Sequence, residues 1–209
     1  MSEQRDKNLW IFNAGNSFAG NPKWMFEYII RHHKEIKPVW MCYNADTMNY
    51  VHKLGYEAEL YHSSKGKSVM AKAGVYVVEM CKEVFQPELS GITVLNLWHG
   101  VGCKSIERKV TDGFLQERIA KKYIQNNDIL RNNQLFLVTS EIMEKHFKEQ
   151  CGIDDDKVIR AGYPRCVVND NIQSYDHDIR KKKGLSANTK LAIYCPTYRD
   201  NNGANFMKS

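Results

Sequence analysis

The sequence predicts an α/β domain: a mostly parallel sheet covered by helices on both faces. Three observations predict it. Short, continuous apolar runs recur at residues 9–12, 39–43, 75–78, 92–98, 135–138 and 158–160, without the alternation of a half-exposed strand. Helical patterns separate many of these runs. Several runs stop at a loop that opens with asparagine, serine or a histidine–glycine pair. Sheets of this kind bind ligands beyond the carboxyl ends of their strands, so His99, Asn13 and Ser140, each just past a run, stand at the edge where chemistry is expected.

The elements follow in order. Leu9-Trp10-Ile11-Phe12 reads as a buried strand ended by Asn13-Ala14-Gly15-Asn16. Asn21-Pro22 opens a helix, because asparagine caps and proline suits the first turn. Trp24, Phe26, Ile29 and Ile30 form its apolar face. Residues 39–43 give a second strand, and residues 50–54 a short helix closed by Gly55. A helix over 65–72 leads to the strand Val75-Tyr76-Val77-Val78, whose side chains favour sheets. The run 92–98 delivers "WHGVGCK". Residues 107–133 are polar and basic with helical stretches, residues 135–138 are a further strand, and Ser140 caps a helix over 141–150 in which Glu144 and Lys148 pair at i, i+4. Residues 158–160 form the sixth strand, before Gly162-Tyr163-Pro164-Arg165.

After residue 166 the character changes to a polar linker and one helix carrying Arg180-Lys181-Lys182-Lys183, a run that reads as a solvated face. Leu191 to Cys195 then reads as a new strand and Pro196-Thr197-Tyr198-Arg199-Asp200 as a new loop. A lone strand forms no sheet, so this end reads as the start of a second domain.

Composition narrows the function classes. The 209 residues are 43% hydrophobic and 26% charged, which is globular composition. The net charge of +6 suits an anionic partner without choosing one. Six cysteines occur without a C-x-x-C pair or zinc-finger spacing, and the chain opens on a polar segment, so reduced thiols in the cytoplasm are expected. No run approaches a membrane span, which leaves peripheral attachment. No G-x-G-x-x-G follows the first strand and no P-loop is present. Nucleic acid is not an expected partner, for no helix-turn-helix, RNA-binding or zinc motif occurs.

Four stretches together resemble the CDP-glycerol glycerophosphotransferase family, the teichoic acid polymerases and primases. They are "GNPKWMFEYI", "LNLWHGVGCKSI", "VIRAGYPRCVV" and "LAIYCPTYRD". Val101-Gly102 stand where the family has Thr-Pro, and Cys166-Val167 where it has Asn-Asp. The resemblance implies two facing Rossmann-like domains in the GT-B arrangement. Residues 1–168 would be the N-terminal, acceptor-side domain, 169–190 a linker and helix, and 191–209 the first strand and loop of a truncated nucleotide-donor domain. It implies transfer of glycerol phosphate, or a related polyol phosphate, from CDP-glycerol to a hydroxyl of a lipid-linked acceptor. No cofactor and no metal are implied.

By the same resemblance His99 is the base, since a histidine titrates near working pH. Gly100 and Gly102 let backbone approach a phosphate. Lys104, Thr197, Arg165 and Arg199 are the implied substrate-binding residues, the cations stabilising charge that moves onto the leaving phosphate. Plainer readings stand beside these: a packed core histidine, an exposed lysine, an arginine in a structural ion pair. A Cys103–His99 nucleophile pair is disfavoured, as no third orienting group is identifiable. The basic segment 107–133 reads either as a peripheral membrane contact or as an ordinary surface helix. Two rivals remain: a split or truncated half that binds acceptor or membrane without catalysing, and another GT-B glycosyltransferase with a nucleotide-sugar donor.

Overall fold

The computed structural model describes residues 5–81, 85–102, 105–127, 129–166 and 179–194, without the side chains at 114 and 131. It contains seven parallel strands: β1 Asp6–Asn13, β2 Lys37–Cys42, β3 Ala58–Leu60, β4 Ala73–Val78, β5 Thr93–Asn96, β6 Gln134–Val138 and β7 Val158–Arg160. Their order across the sheet is β3-β2-β1-β4-β5-β6-β7. The chain winds outward from β1 to one edge, returns to β4 beside β1, and winds to the other edge, so the direction reverses between β1 and β4.

The helices are α1 Gly20–His32, α2 Ala45–Lys53, α3 Ser64–Lys72, α4 Phe114–Gln125, α5 Glu141–Cys151 and α6 Ile179–Lys182. Neighbouring residues of each central strand feed two separate cores. Phe12, Trp40, Val77, Leu95 and Phe136 pack with Phe26 of α1 and Phe147 of α5. Ile11, Met41, Tyr76 and Val94 pack with Met70 of α3, Leu89 and Ile129. Continuous apolar runs are what a sheet buried on both faces requires.

Several expectations need correction. The sheet has seven strands and not six. The missing one, Ala58-Glu59-Leu60, is a three-residue edge strand with a charged centre, and it forms because β2 offers a ready ladder. α2 begins at Ala45, well before residue 50, because the Asn44 side chain accepts the Thr47 N–H and caps it. Ser140 does cap α5, accepting the Met143 N–H, and Glu144 does pair with Lys148. Glu144 also holds Arg160 of β7, and these two cations keep its carboxyl below the usual carboxylate range.

The described residues 179–194 fall in a unit of their own, apart from the sheet domain. Within it Arg180 donates to the Thr189 carbonyl and the basic run is solvated. The strand expected from Leu191 is not formed over the described residues 191–194, whose apolar side chains are exposed. A strand is held by its neighbour's backbone groups, and none is paired there among the described residues.

Arg5 is a structural cation that the sequence does not flag. Its guanidinium donates to the carbonyls of Met70, Ala73, Glu88 and Ser90, tying the start of β1 to α3, β4 and the turn before β5. Arg5→Ala is expected to lower stability by about 2–3 kcal/mol, because several carbonyls lose a charged donor at once. Urea unfolding measures it, and a midpoint equal to that of the parent chain would remove the staple from the account.

Candidate active site

The edge beyond β5 is built from the strand upward. β5 stops at Asn96, two residues before the expected end, because the chain turns there. The Asn96 side chain accepts the Trp98 N–H at 3.1 Å and donates to Gln134 at 3.1 Å, so both ends of its amide are used. Trp98 then takes a left-handed backbone, φ 52°, which is rare for a bulky residue. Burial compensates: its indole packs against Phe136 and Phe147, with ring centres 5.7 and 5.3 Å away. The turn delivers His99 to the solvent side of that indole, stacked on it at 4.6 Å and 23°. The imidazole is exposed and rests on a rigid platform, so the reading as a packed core histidine does not describe it.

Asn21 was expected to cap α1, and it does not. The N-cap is Ala19, without a side-chain cap bond. Asn21 lies inside the first turn, fully buried, and joins two loops. Its amide donates to the Trp98 carbonyl at 2.7 Å, and its oxygen accepts the Arg165 N–H at 3.3 Å. The loop carrying His99 and the loop carrying Arg165 are therefore clamped by one asparagine from α1. The Asn-Pro pair marks a helix start in sequence, but nothing local distinguishes a cap from a clamp.

Gly100 and Arg165 meet. Gly100 has φ 149°, a conformation other residues avoid, and a Cβ there would lie 3.2 Å from Arg165 Nη2. The guanidinium is exposed, with its carbon 5.6 Å from the centre of the buried Tyr163 ring. His99, Gly100 and Arg165 thus share one edge, past β5 and β7. An imidazole can take a proton there, and a guanidinium with an open backbone beside it can receive an anion. Lys104, Thr197 and Arg199, with Cys103, lie outside the described residues. Asn13 and Ser140 sit at the same edge but act structurally: Asn13 closes the β1–α1 turn through Gly15 and reaches the Met41 carbonyl, and Ser140 is a cap.

Under this edge lies a polar layer. Glu107 and Lys122 form a buried ion pair, with Gln134 and Cys81 close by. Gln150 accepts the Ile106 N–H at 2.7 Å. The segment 105–127 is thereby fastened to the body of the domain. Lys122, expected on a basic outer face, points inward. Arg118, Lys121, Leu115 and Ile124 remain exposed. No helix among the described residues is long and apolar enough to cross a membrane.

Three of the described thiols are inert by position. Burial pushes Cys42, Cys81 and Cys151 up to about 12. A thiolate is the reactive form, so at pH 8 roughly one molecule in 10⁴ is reactive at each. Of the four described cysteines Cys166 alone is exposed. Peptide mapping after brief iodoacetamide treatment is expected to find Cys166 modified and these three intact. Prompt labelling of any of the three in folded protein would contradict the burial.

The comparisons with known proteins agree with one another. The model of a family described as CDP-Glycerol:Poly(glycerophosphate) glycerophosphotransferase matches residues 1–209. The teichoic acid poly(glycerol phosphate) polymerase of Bacillus subtilis (strain 168) is 25% identical over 200 residues, covering 89% of this chain and 25% of that one. The teichoic acid glycerol-phosphate transferase of Staphylococcus aureus (strain NCTC 8325 / PS 47) is 22% identical over 210 residues, covering 96% and 52%. The wall teichoic acid polymerase TagF, in a structure soaked with CDPG, superposes with a TM-score of 0.72 at 18% identity, over 94% of this chain and 49% of that one. That likeness shows a shared fold, GT-B-like. The chain spans between a quarter and about half the length of these relatives.

Proposed function

Because the chain belongs to the CDP-glycerol:poly(glycerophosphate) glycerophosphotransferase family, we propose that it takes part in moving glycerol phosphate, or a related polyol phosphate, from CDP-glycerol to a hydroxyl of a lipid-linked acceptor. The product is a teichoic acid or capsule-like polymer, and CMP leaves. The observation that carries the reading is the exposed His99 imidazole held on Trp98, beside Arg165 and the open backbone of Gly100.

The chemistry fits those groups. A hydroxyl attacks poorly until its proton departs, and His99 takes that proton as the oxygen approaches phosphorus. The new O–P bond forms on the glycerol phosphate while the bond from that phosphorus to the bridging oxygen breaks. The electron pair leaves with CMP. Charge spreads over the phosphoryl oxygens as this happens, and Arg165 with the backbone at Gly100 stabilises it. On the family resemblance Lys104, Thr197 and Arg199 add contacts to the donor's phosphates. Exposed Arg118, Lys121, Leu115 and Ile124 suit an anionic lipid surface, the setting of a lipid-linked acceptor, and work at the cytoplasmic membrane face fits this.

The test is CMP release from CDP-glycerol with a lipid-linked acceptor, from this chain alone and from this chain continued by the remaining half of a relative. Release that needs both substrates supports the proposal. Release in the continued chain alone would make this chain an acceptor-side half that needs a partner. Turnover of a nucleotide sugar in place of CDP-glycerol would replace the donor class.

A further inference from the structure

His99 stands on Trp98, whose left-handed backbone is held by two asparagine side chains. The Asn96 oxygen accepts its N–H at 3.1 Å, and the Asn21 amide donates to its carbonyl at 2.7 Å. Asn96 lies two residues earlier in the same segment. Asn21 comes from α1 and is fully buried. A buried amide is costly unless its hydrogen bonds are made. Its two partners also fix which way it faces. A carbonyl only accepts, and the Arg165 N–H, 3.3 Å away, only donates. The amide nitrogen therefore faces Trp98 and the amide oxygen faces Arg165.

Asn21 is itself held in place. Gly20, with φ 68°, begins α1, and the Glu79 carboxylate packs on it so closely that a Cβ there would run into that group. The carbonyl of Val78, the residue before Glu79, accepts the Leu97 N–H at 2.9 Å. The end of β4 thus braces both the start of α1 and the segment that leads to Trp98. Further along α1, Phe26 and Ile29 are anchored in the core, so the amide sits on a rigid element. On the other side, the buried Tyr163 ring lies under the Arg165 guanidinium. Few side chains could replace this amide. An ionised aspartate has no donor, leucine has neither donor nor acceptor, and glutamine sets its amide one methylene farther out.

We propose that Asn21 is a positioning residue for His99 and Arg165: one planar amide sets where the base stands relative to the cation. It acts on the imidazole through the Trp98 carbonyl and on the guanidinium through the Arg165 N–H. The two arms are unequal. The bond to Trp98 is short and the bond to Arg165 is at the long end of the normal range, so the base depends on Asn21 more than the cation does. Without the amide, the Trp98 carbonyl loses a buried donor and the left-handed turn loses one of the two side chains that hold it. The imidazole then leaves the indole face. This role rests on the transfer reading for its effect on turnover alone, because the stacking of His99 on Trp98 needs no substrate.

The experiment is NMR of the full 209-residue chain with ¹³C-labelled histidine, joined to kinetics on the continued chain. The His99 imidazole signal, identified among the seven histidines by its loss in His99→Ala, is expected to be displaced upfield by the indole beneath it. Asn21→Ala and Asn21→Leu are each expected to lose most of that displacement. Leucine fills the space, so a loss shared by both comes from the hydrogen bonds and not from a cavity. Arg5→Ala, destabilised at the amino end of β1, is expected to keep it. In the continued chain both Asn21 variants are expected to lose about 10²-fold in kcat with the KM for CDP-glycerol unchanged, as when a group that works in the transition state is misplaced. Arg5→Ala keeps its kcat. Thermal unfolding establishes that each variant is folded under the conditions used. A His99 signal unmoved in a folded Asn21 variant overturns the proposal, and so does an equal movement in Arg5→Ala. If neither Asn21 variant folds, the parent chain decides: slow exchange of the Asn21 side-chain amide protons in D₂O supports the clamp, and exchange as fast as that of an exposed amide overturns it. CMP release undiminished in the Asn21 variants would overturn this role and leave the transfer reading standing. No CMP release from the parent continued chain, with the His99 signal moved, would do the reverse.

Discussion

His99→Ala is expected to lower CMP release by about 10²- to 10⁴-fold, the range that a positioned general base supplies. The fold should survive, because the imidazole is exposed and its support comes from Trp98, which stays in place. A change in stability within about 0.5 kcal/mol is expected for a substitution of this kind. If the histidine works in the transition state, kcat falls and the KM for CDP-glycerol holds. Steady-state kinetics on the continued chain, with thermal unfolding of the same preparation, read both quantities. Activity undiminished by the substitution would remove His99 from the mechanism. A large loss of stability would instead assign it a structural role.

Lys122→Ala is the substitution with the largest expected effect on stability. Lys122 and Glu107 pair in a buried layer beneath the His99 loop, and truncating the lysine leaves a carboxylate without its partner. Breaking such a pair costs about 3–5 kcal/mol. For a chain of this size that corresponds to a fall of roughly 10 °C in the unfolding midpoint. The double variant Glu107→Leu with Lys122→Met is expected to recover most of the loss, since apolar side chains of similar volume need no partner there. Alanine at the exposed Lys121 supplies the contrast and should change stability by no more than about 0.5 kcal/mol. A Lys122→Ala chain as stable as the Lys121→Ala chain would show that the pair contributes nothing.

The contrast between Lys121 and Lys122 shows where sequence reading stops. Both belong to a basic segment, and both fit a solvated or membrane-facing surface. Which of the two turns inward depends on the position of Glu107, fifteen residues away, and Glu107 is placed by a backbone turn with φ 51° that no local signal announces. Arg5 is a similar case, for its four carbonyl partners lie between Met70 and Ser90. Asn21 is the functional one: its two partners lie 77 and 144 residues away. In each case the local pattern permits several partners, and only the folded chain selects one.

The sequence by itself determined the α/β class, six of the seven strands, the Ser140 cap and the edge on which His99 stands. These are consequences of short-range rules. An uninterrupted apolar run must be buried on both faces, a serine before a helix satisfies a free N–H, and a residue after a parallel strand lies at the strand's carboxyl end. The family resemblance also came from local motifs, read in order along the chain. The tertiary structure alone decided the rest: the left-handed turn at Trp98 that puts His99 on a buried platform, the asparagine that locks its loop to that of Arg165, and the edge strand at Ala58–Leu60. Each depends on groups far apart in the chain meeting with their hydrogen bonds satisfied, and that condition is set by packing and not by any local spacing.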